Sequence, residues 1–426
     1  MTNKFNIIYL LSLFIAATFA LTSCGTTHQI NKGFKQQHKE NSFFKGFVLY
    51  NPITKNEIIS HNGHKFFTPA SNTKLFTFYT AYKTLEDSIS GLAYYKSKDS
   101  LILKGTADPS LLYSTTNSKI INFLKNEKDS IYLVNATIDE TNYGSGWAWD
   151  DYQYYYMPEK NLLPIYGNIV KYNVSDSLIT STPSYFNEKI NVLDSITLRR
   201  EFRENKFYFR KGFKKENEVP FITSNLLVTE LLSEITNKNI QLIPDNKSYK
   251  YNIIKSVKSD SLYKQMLVKS DNFIAEQLLL QVGKKVANSF SVKNAIDYSL
   301  KNYLHDLPQK PRWVDASGLS RYNLFSPNNF IFLLDKMYNE IPLNKLLSYF
   351  PEVEKTGTLK RWNKDEKQYI FAKTGSLSNN YNLSGYLITK KGTILIFSYM
   401  NNHYQKSTSA IKKDIQKTLS KIYKTY

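Results

Sequence analysis

Cysteine is almost missing from this chain: of its 426 residues only Cys24 is one. No internal disulfide, thiolate metal site or cysteine nucleophile can therefore be assembled within it. Metal-binding histidine patterns are missing as well. His61 and His64 bracket Asn62-Gly63 in what reads as a polar turn, with no third ligand and no His-Glu-x-x-His spacing. Neither a metal nor any other cofactor is expected. Acidic residues are scarce beside basic ones, 36 against 56, for a formal net charge of +20. The basic residues are nevertheless scattered, and no zinc-finger spacing or basic-aromatic recognition motif occurs, which argues against a nucleic-acid partner.

What is present is the composition of a globular protein, 42% hydrophobic and 22% charged, in a chain long enough for two or more domains. Lys4 opens a positive N-terminal region, and Ile7 to Ala20 is an apolar run too short for a confident membrane span. Leu21-Thr22-Ser23-Cys24 then resembles a bacterial lipobox. Residues 1–23 are accordingly expected to be a lipoprotein signal peptide, with lipid on Cys24 and the body of the protein in the cell envelope, facing the periplasm. Residues 24–42 are polar and aperiodic, which reads as a tether.

Phe47 to Tyr50 and Ile58-Ile59, with an Asn51-Pro52 turn between them, predict a hairpin that leads into Thr68-Pro69-Ala70-Ser71-Asn72-Thr73-Lys74. Leu75, Phe78, Tyr82 and Leu85 follow at helical spacing, predicting a helix buried along one face. A serine and a lysine three apart at its start become neighbours. Between residues 85 and 220 the texture changes to short strand-like segments, read as an inserted, mainly β unit. It carries Gly146 to Asp151 and Tyr154-Tyr155-Tyr156, aromatic runs that suit either core or a binding surface. Helical periodicity returns at Leu226 to Ile235 and from Leu262 to Leu280, where Lys269-Ser270-Asp271-Asn272 interrupts it. Two copies of Lys-Thr-Gly follow. Lys355-Thr356-Gly357 has no clear strand around it, whereas Lys373-Thr374-Gly375 sits in the first of three strands that precede an amphipathic C-terminal helix, Ile411 to Tyr423.

Ser71-x-x-Lys74, Ser270-x-Asn272 and Lys373-Thr374-Gly375, in that order, form the trio shared by serine β-lactamases and penicillin-binding proteins. Each group has a readable use. Ser71 would attack a carbonyl, Lys74 would accept its proton, and Ser270 could pass a proton to a leaving amine. Asn272 can hold a substrate amide and orient Lys74. Lys373 and Thr374 offer a charge and a hydroxyl to a substrate carboxylate. Backbone N–H groups of Ser71 and Ser376 are the natural oxyanion donors.

The chain resembles the D-alanyl-D-alanine carboxypeptidase/endopeptidases of the class C low-molecular-mass penicillin-binding proteins from about residue 43 to the end. Leu103-Lys104-Gly105, Ala107-Asp108-Pro109, Gly146 to Asp151, Asp315 to Arg321 and Ala372 to Leu377 carry the likeness along with the trio. The resemblance implies an α/β (α+β) transpeptidase-like domain, residues 43–84 and 221–426, whose antiparallel sheet lies between helices and which the 85–220 insertion interrupts. It also implies peptidoglycan stem peptides and β-lactams as ligands, and a Ser71 acyl-enzyme. Asp151 would bind the amino end of a diaminopimelate side chain, with Tyr156 as an aromatic wall, Arg321 as a charged contact, and Thr374, Gly375 and Ser376 along the substrate. One departure touches that pocket: Ser378 stands where a relative has Gln. A secreted β-lactamase or esterase of the same fold is the competing enzyme, disfavoured by the long insertion and by the lack of a Glu-x-x-x-Asn deacylation motif. An inactive peptidoglycan-binding lipoprotein is the competing non-enzyme.

Overall fold

The structure is a computed structural model that describes residues 43–113, 119–175, 178–351, 357–359 and 369–426, together with residues 25, 28–30 and 32–33. Cys24, Lys355 and Thr356 lie outside the described residues. The catalytic half is built on a five-stranded antiparallel sheet, in the order Ile370–Leu377, Asn380–Ile388, Ile394–Asn402, Phe44–Asn51 and Asn56–His61. Alternation along these strands sends apolar side chains to both faces. Phe47, Leu49, Leu395 and Phe397 meet Ile411, Ile415, Leu419 and Ile422 of the C-terminal helix Thr408–Thr425. Val48, Ile396, Met400 and Tyr386 face the opposite core, with the helices Lys74–Thr84 and Pro327–Glu340. The expected antiparallel sheet between helices is what forms.

The helix Lys74–Thr84 is buried more completely than its one-sided apolar spacing predicts. Every residue from Lys74 to Ala81 is buried, because the helix packs against three others, Ser259–Lys269, Asn272–Ala287 and Pro327–Glu340, rather than lying on a surface. Phe76 alone makes ring contacts with Trp313, Phe325 and Phe330.

The inserted unit ends later than its strand-like texture suggests. Its main sheet has the order Ile240–Ile243, Ser130–Val134, Ser100–Lys104, Ser88–Lys96 and Asn252–Lys258, so two of its strands come after residue 220. The helix Asn225–Thr236, which helical periodicity alone had placed in the catalytic domain, buries Leu227, Val228, Leu231 and Leu232 in the insert's own core. Helical period says nothing about which sheet a helix covers. The unit therefore runs from Ser88 to Lys258, with smaller sheets of Asn217–Pro220, Ile169–Ser175 and Leu178–Thr182, and of Ile190–Leu193 and Phe207–Arg210. The other face of its main sheet supplies Ile89, Ile102 and Val134 to the catalytic core. Gln277 and Gln281, on the helix Asn272–Ala287, donate to the carbonyls of Ala107, Asn161, Ser90 and Thr106 and hold the two units together.

The composition over 24–42 reads as a tether, yet its described residues 28–30 and 32–33 are helical. Ile30 is buried against the cluster that includes Leu359, Tyr369 and Ile422. One apolar side chain in a polar stretch leaves no periodic signal, but it is enough to dock a turn on an existing apolar patch.

Candidate active site

Ser71 lies in a 3-10 turn, Ala70–Thr73, that feeds directly into the helix Lys74–Thr84. The turn is held under local strain. Ala70 has φ +49°, and Thr73 Oγ1 donates to its carbonyl at 2.9 Å. Gly318, at φ +79°, presses so close that a Cβ there would stand 1.9 Å from the Ala70 carbonyl oxygen, so no larger residue fits. On the other side Gly375 approaches Pro69, where a Cβ would come within 2.3 Å of the carbonyl oxygen. Two glycines thus let a loop and a strand close on the serine.

The second motif is a corner between two helices. Ser259–Lys269 ends at Ser270, which has φ +60°, and Asp271 caps the next helix by accepting from the Ile274 N–H at 3.0 Å. Asn272 is the first residue of that helix, so the corner presents Ser270 and Asn272 to the same cleft. The third motif sits in the strand Ile370–Leu377, as its β pattern predicts.

These elements bring the three motifs together. Lys74 Nζ donates to Ser71 Oγ at 3.0 Å, to Asn272 Oδ1 at 2.6 Å and to the Ser317 carbonyl at 2.6 Å. Asn272 Nδ2 donates in turn to the Tyr156 carbonyl at 2.8 Å, tying the catalytic corner to the insert. Lys373 Nζ donates to Ser270 Oγ at 2.7 Å and to the Thr374 carbonyl at 2.7 Å. Both lysines are fully buried, with no exposed surface. Burial lowers the Lys74 ammonium to about 8, against the opposing pull of Asp315, Glu276 and Asp271. Lys373 is held well below its ordinary value by burial and by the neighbouring Lys74. An amine with such a value can exist as free base near neutrality, which is what a proton acceptor for a serine needs. The Lys373 geometry sharpens one expectation: its Nζ is directed to Ser270, leaving Thr374 as the member of the motif that lines the cleft.

The cleft has a volume of about 680 Å3 and is lined by Ser71, Ser270, Asn272, Thr374 and Ser376. Asp151, Tyr156, Arg321 and Ser378 line it too, so the residues named for the side-chain pocket face the same space as Ser71. Tyr156 Oη donates to Asp151 Oδ1 at 2.8 Å, and its ring stacks on Tyr154 at 5.6 Å. Arg321 is fixed by its backbone, whose N–H donates to the Gly146 carbonyl at 3.3 Å. Asp315 organises the loop that carries it. Its carboxylate accepts from Trp147 Nε1, the N–H groups of Gly318 and Ser320, and Asn323 Nδ2, all within 2.9 Å.

Two cleft neighbours have no counterpart in the sequence reading. Tyr113 lines the cleft and donates to Asp271 Oδ2 at 2.7 Å, bridging from the insert to the helix corner. Glu276 is buried one turn beyond Asn272 and accepts from the Ser317 N–H at 2.8 Å. Its position four residues after Asn272 on a helix was the available signal. Among the described residues no group of three or more His, Cys, Asp or Glu side chains is arranged to hold a metal, and no helix is long and apolar enough to cross a membrane.

Residues 27–189 and 231–424 match the D-Ala-D-Ala carboxypeptidase 3 (S13) family. The chain is 25% identical over 420 residues to D-alanyl-D-alanine carboxypeptidase DacB of Haemophilus influenzae, covering 84% of this chain and 85% of that one. It is 26% identical over 402 residues to penicillin-sensitive carboxypeptidase A of Dictyostelium discoideum, covering 78% and 76%. Its fold is similar to the crystal structure of penicillin binding protein 4 from Haemophilus influenzae, with a TM-score of 0.73 at 19% identity over 90% of this chain and 97% of that one.

Proposed function

This chain belongs to the D-Ala-D-Ala carboxypeptidase 3 (S13) family, and from that premise we propose that Ser71 is the nucleophile of its acyl-transfer reaction. The protein is a serine-type D-Ala-D-Ala carboxypeptidase and D,D-endopeptidase of peptidoglycan, and a penicillin-binding protein. The observation that carries the assignment of roles is the bond network in which one buried lysine meets Ser71 and Asn272 while a second meets Ser270.

In the reaction, Lys74 as free amine takes the Ser71 proton while Oγ bonds to the penultimate D-alanine carbonyl carbon. The resulting oxyanion is held by the N–H groups of Ser71 and Ser376, a pairing supported by the close approach of Gly375 to the turn before Ser71. Ser270, with Lys373 behind it, delivers a proton to the leaving nitrogen as the C–N bond breaks. A free D-alanine leaves in the carboxypeptidase reaction, and the side-chain amine of a cross-linked stem leaves in the endopeptidase reaction. Water then attacks the acyl-enzyme and regenerates Ser71. The Thr374 hydroxyl donates to the terminal carboxylate, and Gly375 and Ser376 run beside the substrate backbone. Asp151, with Tyr156 beside it and Arg321 lining the same cleft, receives the amino end of the stem-peptide side chain. The enzyme works in the periplasm, and the lipid anchor proposed at Cys24 rests on the Leu21-Thr22-Ser23-Cys24 sequence.

Fluorescent penicillin tests the assignment. A slowly released covalent adduct is expected, and it should vanish in Ser71→Ala. Rapid turnover of the drug would point to a β-lactamase instead, and the absence of any adduct to an inactive wall-binding protein.

A further inference from the structure

The acid that the mechanism does not use is Glu276. It is 1% exposed, at the heart of the protein, one helical turn from Asn272. Its Oε1 accepts from the Ser317 N–H at 2.8 Å, and the carbonyl of that same Ser317 accepts from Lys74 Nζ at 2.6 Å. Asn272, on the same helix, closes the circuit by accepting from Lys74 at 2.6 Å. Glu276 and the serine's base are thus joined through a single residue. Its second oxygen, Oε2, is buried and has no hydrogen-bond partner among the described residues. An ionised carboxylate leaves such an oxygen at a much larger desolvation cost than a neutral acid does.

The charged groups around it oppose one another. Asp315, on the loop that carries Ser317, disfavours a second negative charge, while Lys160, from the insert, favours it. Lys74 faces it from the nucleophile helix and gains from its charge. Burial first, and Asp315 second, raise the Glu276 carboxyl far above the ordinary carboxylate range.

We infer that Glu276 is a positioning residue whose proton controls the base: protonated Glu276 lets Lys74 shed its proton, and ionised Glu276 retains the ammonium form. The same side chain fixes Ser317 in either state, because a carbonyl oxygen accepts the Ser317 N–H whether or not the acid is ionised. The two sites titrate as a coupled pair, so that near neutrality one proton is distributed between the carboxyl and the amine. The reactive distribution is any in which the amine is neutral, and a neutral acid beside it brings that form to lower pH. This inference rests on the reading of Lys74 as the base.

The test is Glu276→Gln, which keeps an oxygen acceptor for Ser317 and removes the charge. The rate of acylation by fluorescent penicillin is measured against pH for both enzymes. The acid limb of the variant is expected about one unit toward lower pH, the usual size for losing an opposite charge across such a separation. Coincident limbs, or a loss of rate equal at every pH, would overturn the inference and leave Glu276 a structural acceptor only. If the variant fails to fold, infrared difference spectroscopy of the unmodified protein decides the matter. A protonated-carboxyl band should be present at pH 6 and fade as the pH is raised through neutrality. Its absence at pH 6 would overturn the inference. Acylation that survives in Lys74→Met would instead remove the base assignment beneath it, a result that neither Glu276 experiment can mimic.

Discussion

The two walls of the cleft are built to different specifications. On one side Ser71, Lys74, Ser270, Asn272 and Lys373 are joined by bonds of 2.6 to 3.0 Å around two lysines with no exposed surface. On the other side Asp151, Tyr156 and Arg321 come from the insert and a loop, and Arg321 is exposed. The first wall must strip water from an amine to make it a base, and this demands burial and a full set of acceptors. In the proposed reading the second receives stem peptides, which asks for a charged group in reach. The proposed chemistry sits where the side chains are most deeply buried, and the proposed recognition where they are partly exposed.

Substitutions can break that contrast, and the strongest test is at Lys373. Lys373→Ala should reduce acylation by penicillin by about 100- to 1000-fold, since it removes the partner of Ser270. Lys355→Ala, in the other Lys-Thr-Gly, should leave labelling close to wild type. Reversed results in a labelling gel would move the third motif to the wrong stretch of chain. The pH profile comes next. Lys74 is a base only when neutral, so acylation should rise with pH and level off near 8, falling about tenfold for each unit below that value. A flat rate between pH 6 and 8, measured by stopped-flow with a chromogenic β-lactam, would exclude a lysine base.

On the recognition wall the effects should be smaller and selective. Asp151→Ala is expected to lower turnover of diaminopimelate-containing muropeptides by about 10- to 100-fold, the range for a charged hydrogen bond, while penicillin acylation stays within a factor of about three. Equal losses on both substrates would erase the distinction between the walls. Arg321→Ala should cost least, a few-fold in kcat/KM on peptides, as expected for an exposed charge; a larger loss would place it among the stiff residues instead.

The three motifs that the fold brings together are legible in the sequence because each is local: three residues apart at Ser71, two at Ser270, and a tripeptide on a strand. Each short pattern announces its own turn, helix or strand, and the three final strands alternate clearly enough to separate Lys373 from Lys355. What stayed hidden depended on contacts between distant stretches. That Lys373 meets Ser270 is a matter of how a strand passes a helix corner, and no spacing encodes it. The helix Asn225–Thr236 packs in the insert's core, and its periodicity does not show this because its apolar face looks the same whichever sheet it covers. Glu276 carries no local signal, since an acid in a helix is ordinarily a solvated one and the Ser317 loop that bonds it arrives from 41 residues downstream.

The strands by which the chain enters and leaves the insert are neighbours. Ser88 pairs with Lys258, and the Ser259 N–H donates to the Asp87 carbonyl at 2.9 Å. More than a third of the protein therefore departs and returns through one doorway, barely a strand's width across. A unit attached in this way is portable: it can be exchanged for a longer, shorter or differently armed one by a single splice, with the ends already aligned. What such a splice must also replace are the bonds sewn across the seam, among them those of the Gln277 and Gln281 amides, Asn272 to Tyr156, Tyr113 to Asp271 and Trp147 to Asp315. The repertoire of walls this enzyme could be adapted to cut is thus written into the geometry of one hydrogen-bonded pair of strands.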